Sequence, residues 1–134
     1  VTVSRGLGDV YKRQEIYIVL ALLLALFQSW LIPMAINIQN LQWMMGARDS
    51  SPSESVLLKR ARRASLNLHE SLAPFLALVL ASMYLEIDNS TYACWWMILR
   101  VVHGLTYLLG VPYIRTLAFI GSIICLAGMA IALL

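Results

Sequence analysis

Residues 16 to 36 run without a charged side chain and are interrupted only by Gln28, Ser29 and Pro33. A helix of this length spans about 30 Å of hydrocarbon at roughly 1.5 Å per residue. In water such a segment has no solvated face. The rest of the chain agrees. Of its 134 residues 60% are hydrophobic and 13% charged, and the mean hydropathy is +0.76. That balance is too apolar for an ordinary soluble domain and predicts one membrane-embedded domain.

The chain carries 10 Lys+Arg and 7 Asp+Glu, but Arg5, Asp9, Lys12 and Arg13 fall in the first fourteen residues, and without them the remainder is close to neutral. No basic patch elsewhere argues for a nucleic-acid partner. Residues 1 to 14 are polar, contain glycine and share no composition with the apolar run that follows. Gly8-Asp9-Val10-Tyr11-Lys12-Arg13-Gln14 looks like the in-frame translation of a transposon end used in sequencing libraries. Residues 1–14 are therefore expected to be a non-native or disordered extension, and residues 15–134 the domain. A signal peptide is the competing reading, but the apolar run is too long for one and no small-residue cleavage site follows.

Three further spans are expected, at about Leu66 to Leu85, Tyr92 to Leu109 and Tyr113 to Leu134, so the fold class is an all-α integral membrane four-helix bundle. The loop from Asn37 to Ser65 holds Arg48, Lys59, Arg60, Arg62 and Arg63 against Asp49 and Glu54, whereas Glu86 to Thr91 carries only acids. The positive-inside rule then puts the first loop and the Gly110–Arg115 connection in the cytoplasm and both termini outside. Gly46, Ser50, Ser51, Pro52 and Ser53 break the first helix, and a new one is expected from Ser53 or Glu54. Trp30, Trp43, Tyr84, Tyr92, Trp95 and Trp96 read as an interfacial aromatic belt.

Polar residues in the spans follow helical spacing. Arg63, Asn67, Glu70 and Pro74 are separated by four, three and four, and lie on one face of the second helix. Arg100, His103 and Tyr107 repeat this on the third. Intramembrane ionisable groups are costly and therefore functional candidates, Glu70 the sharpest. The structural alternative is an ion pair of Glu70 with Arg63 or Arg100 that fixes packing. His69 is expected to face away from the stripe. Arg115 opens the fourth helix after Gly110-Val111-Pro112, where free backbone amides favour an anion such as a carboxylate or thiolate; the alternative is a snorkelling anchor. Lys59, Arg60 and Arg62 read as topogenic charges. Cys94 and Cys125 stand far apart, and no His/Cys/carboxylate set has ligand spacing, so neither a disulfide framework nor a metal site is implied.

Arg63-Ala64-x-x-Asn67-x-x-Glu70-x-x-x-Pro74-Phe75, Arg100-x-x-His103-x-x-x-Tyr107 and Gly110-x-Pro112-Tyr113-x-Arg115-Thr116-Leu117 together resemble the MAPEG family, the membrane-associated proteins of eicosanoid and glutathione metabolism, and in particular its short bacterial members. The resemblance covers roughly residues 15 to 134. It implies a homotrimer in the bacterial inner membrane, with glutathione as co-substrate held between subunits near the cytoplasmic face and a lipophilic second substrate arriving from membrane lipids. By family position Arg115 is the catalytic residue that stabilises the thiolate, as positive charge does for any thiol. Arg63, Asn67, Glu70, Arg100, His103 and Tyr107 are implied to bind glutathione. Arginines suit its two carboxylates and Glu70 its ammonium. The sequence departs from several relatives at Asn37, Gln39 and Asn40, where they supply a cation, at Leu66, and at Phe119, which replaces a tyrosine.

The function implied is that of a glutathione-dependent transferase or peroxidase acting on lipophilic electrophiles or lipid hydroperoxides. Two alternatives stand beside it: a non-catalytic lipid-binding protein of the same fold, and a small proton-coupled transporter using Glu70. The ionisable residues gather toward one end of the spans, away from the midplane depth that transporters favour.

Overall fold

The computed structural model describes residues 2–36, 38, 42, 45–47 and 56–134, with side chains from residue 13 onward. Asn37, Gln39, Asn40, Trp43, Arg48, Asp49, residues 50–53 and Glu54, including the expected start of the second helix, lie outside the described residues. The elements are α1 (Thr2–Leu26), a π-helical turn (Phe27–Leu31), α2 (Ile32–Ile36), α3 (Val56–Tyr84), α4 (Ser90–Leu109) and α5 (Pro112–Ala132). No strand occurs among the described residues.

α1, the π-helical turn and α2 form one continuous path. Proline at position 33 lacks an N–H, and its ring crowds the carbonyl four residues back. The widened turn ends just before it, and Ile32 N–H donates to the Phe27 carbonyl, five residues away. The kink thus takes the form of a π turn, which lengthens the hydrogen-bond step instead of breaking the ladder.

Three stretches combine the length and hydropathy of a membrane span: Arg13–Ile36, Val56–Tyr84 and Pro112–Ala132. α4 has 20 residues and the length, but its polar residues dilute its hydropathy. Those residues turn inward: Arg100, His103 and Thr106 are buried, while Ile98, Val101, Leu105 and Leu109 face outward. The outer faces of the bundle are apolar, unlike those of a soluble one. Small side chains such as Ala21, Ala25, Ala93, Ala118 and Ser122 fill its interior, whereas Leu117, Ile124 and Ile131 are each about two-thirds exposed. This is the pattern of helices that associate through close packing in lipid. At the centre the rings of Phe75 and Trp96 stack with centroids 3.8 Å apart. Trp96 is completely buried and belongs to the core instead of the aromatic belt, because its partner Phe75 lies on α3 facing it.

Polar contacts tie the two ends. At one end the α3–α4 loop is clasped. Gln14 Nε2 donates to the Ile87 carbonyl at 3.1 Å, Arg13 pairs with Asp88 at 3.7 Å, and Asn89 Nδ2 donates to Ser82 Oγ and to the Met129 carbonyl of α5. The Asp88 carboxylate accepts from the Ser90 hydroxyl and backbone N–H, and these bonds hold its pKa below the usual carboxylate range. At the other end α4 closes in a Schellman turn. Val111 N–H donates to Thr106 O at 2.9 Å and Gly110 N–H to Tyr107 O at 3.3 Å, with Gly110 at φ 76°, a conformation that favours glycine. Pro112 then starts α5 at its first turn. The Arg60 guanidinium lies against Gly110, beside the α4 carbonyls, where positive charge is favoured.

Candidate functional site

The α4–α5 turn determines which side chains share a space. By reversing the chain within two residues, it sets the last turns of α4 beside the first turns of α5. His103 and Tyr107 therefore face Arg115, Thr116 and Phe119, and Asn67 of α3 closes the third side. These six residues line an open cleft with about 480 Å³ of empty space, its mouth included.

Arg100 lies at the base of this wall and is 1% exposed. Its Nη1 donates to Asn67 Oδ1 at 2.5 Å. The guanidinium carbon stands 5.7 Å from the ring centroids of both Trp96 and Phe119, a spacing at which aromatic faces attract a cation. Its Nε and Nη2 are buried with no hydrogen-bond partner. Buried donors of a charged group are costly to leave unpaired. The Arg115 guanidinium sits 4.8 Å over the Tyr107 ring, and His103 meets Tyr107 edge-on at 5.6 Å and Phe119 at 6.4 Å. The aromatic rings thus carry the cations and orient them. Among the described residues no carboxylate lines the cleft, so these residues favour an anion.

Asn67, His103, Tyr107 and Arg115 come together in the cleft, with Arg100 beneath them. Arg63 and Glu70 are both exposed and do not line it. Glu70 makes no ion pair with Arg63 or Arg100, although its charge attracts Arg100 at longer range. The stripe on α3 therefore has two edges. α4 closes the edge with Asn67, and the other is left open. His69 is also exposed, its Nδ1 bonded to the Ser65 carbonyl at 2.7 Å. Two lining residues were not singled out from sequence. Phe119 registered only as a departure from relatives and Thr116 only as part of a motif. The available signal was the spacing of four from Arg115 to Phe119, which places both on one helix face. Cys125 is buried and Cys94 half-buried. Among the described residues no cluster of three His, Cys, Asp or Glu is placed to hold a metal ion.

No curated protein and no solved structure matches the chain. A family comparison does, over residues 17–134, a range that takes in most of the first span, all of α3, α4 and α5, and the cleft residues. On that match, which takes in nearly the entire chain, the protein belongs to the MAPEG family.

Proposed function

We propose that the protein is a glutathione-dependent transferase or peroxidase acting on lipophilic electrophiles or lipid hydroperoxides. The observation that carries this reading is a cleft walled by Arg115, with no carboxylate among the described residues that line it; Arg100, buried behind Asn67, has two N–H donors with no acceptor. A ligand rich in carboxylate and carbonyl oxygens fits that donor set. Glutathione, when bound, supplies such oxygens together with a nucleophilic thiolate. Arg100 Nε and Nη2 donate to a carboxylate while Asn67 holds the guanidinium in place. Arg115, steadied over Tyr107, holds negative charge at the cleft wall and favours a thiol's ionised form. His103 and Tyr107 hydrogen-bond the peptide.

Arg63 and Glu70 complete the site from the open edge of the α3 stripe if a second copy of the chain packs over it. This supports a homotrimer, with Glu70 facing an ammonium group. The basic residues Lys59, Arg60, Arg62 and Arg63 at this end of the bundle support a cytoplasmic placement of the cleft in an inner membrane.

The test is ultraviolet absorbance of the glutathione thiolate on addition of the purified protein at neutral pH, compared with Arg115→Ala. The expected result is a thiolate signal in the parent that is lost in a folded Arg115→Ala variant. Absence of signal at saturating glutathione overturns the enzyme reading and favours a lipid-binding protein of the same fold.

A further inference from the structure

The first span carries one polar side chain that the cleft does not use. Gln28 sits in the π-helical turn and is 6% exposed. Its Oε1 is buried without a hydrogen-bond partner, and its Nε2 meets none among the described residues. An unpaired amide at membrane depth is costly, since no water competes to satisfy it.

This amide lines a second cleft, between α1, α3 and α4, whose other described lining residues are apolar and include Leu24, Ala61, Leu105 and Leu108. The cleft has about 420 Å³ of empty space, its open mouth included. It lies on a different face of α4 from the first: Gly104 and Leu105 line this one, His103 and Tyr107 the other. Two features hold the amide at its wall. The π turn re-aims residues 27–31, as such turns do at functional sites. Gly104 leaves the space, because a Cβ there would stand 2.5 Å from Gln28 Nε2.

We propose that this cleft binds a single-chain amphiphile with one small O–H head group, a hydroxyl or protonated carboxyl. Such a group both donates and accepts, so it matches a primary amide: its hydrogen goes to Gln28 Oε1 and its oxygen accepts from Nε2. The alkyl chain lies against the leucines and runs into lipid. Among the described residues no cation lines the cleft, which selects the neutral head group over a carboxylate. This site is independent of the glutathione reading.

The experiment uses the full chain in phosphatidylcholine nanodiscs with two photoreactive probes, a diazirine-bearing dodecanol and the matching dodecane. Labelled peptides are mapped by mass spectrometry. The alcohol is expected to label the α4 segment around Leu105 about tenfold more than the alkane at equal concentration, one hydrogen-bonded anchor's worth of discrimination. Excess dodecanol and excess lauric acid at mildly acidic pH serve as competitors, and the more potent of the two identifies the head group. Gln28→Leu is expected to abolish the alcohol's advantage while leaving the glutathione thiolate signal unchanged. Gln28→Met, closer in volume, serves if that variant fails to assemble. Equal labelling by alcohol and alkane in the parent, or a preference that survives loss of the amide, overturns the proposal. So does an unlabelled cleft, the result expected if a second copy of the chain covers it.

Discussion

Replacing Asn67 with leucine removes the described hydrogen-bond partner of a guanidinium that already has two unpaired donors. Arg100 is 1% exposed, and its bond to Asn67 crosses from α4 to α3 at 2.5 Å. Interhelical hydrogen bonds within membranes average about 0.6 kcal/mol and reach about 1.7, while bonds to charged groups in proteins run to about 1.5–3. The burial and charge place this bond near the top of the membrane range, at about 1.5 kcal/mol. Reversible unfolding in mixed micelles, with midpoints converted to free energies, measures the loss for Asn67→Leu in the parent and again in an Arg100→Met background. In the second background the cost falls to about 0.5 kcal/mol or less, because no buried charge is left unpaired. Arg100→Met alone is close to neutral for stability, since it also removes the orphaned Nε and Nη2, yet it abolishes the glutathione signal. A coupling energy below about 0.5 kcal/mol refutes the argument that Arg100 is held for ligand binding by Asn67.

Three further outcomes follow from the loops. Gly110→Ala adds a Cβ at φ 76° and about 2.9 Å from the Arg60 guanidinium, and is expected to cost about 1–2 kcal/mol in the same unfolding assay. Glu86 is the reverse case: a non-glycine residue at φ 58°, closing α3 with Ile87 N–H bonded to Ser82 O. Glu86→Gly should raise stability by about 1 kcal/mol, the left-handed penalty less glycine's added chain entropy. Asp88, held below its ordinary pKa of 3.8 by Ser90, stabilises the fold fully above that value and ceases to as pH falls through its lowered folded pKa. The melting temperature of the parent is therefore expected to drop on acidification below pH 3.8 more than that of Asp88→Asn, and parallel pH profiles refute the assignment.

Much of the site was legible in the sequence because helical periodicity is a property of one chain segment alone. Spacings of four and three put Asn67 on a stripe with Glu70, spacings of three and four put Arg100, His103 and Tyr107 on another, and Gly110-Val111-Pro112 announced the reversal that brings Arg115 alongside. The apolar runs likewise specified helices that satisfy their own backbone in hydrocarbon. What periodicity leaves open is the rotation of each helix against its neighbours. An apolar face is as comfortable against lipid as against protein, so hydropathy does not say which edge of a stripe is covered. Small residues decide it by allowing close approach: Ala21, Ala25, Ala93 and Ala118 are all buried. Only that packing closes the cleft over Asn67 and leaves Glu70 and Arg63 in the open. The same packing draws Trp96 from the expected belt into a stack with Phe75. It also turns Gln28, in sequence a mere interruption of an apolar run, into an unpaired amide resting on Gly104.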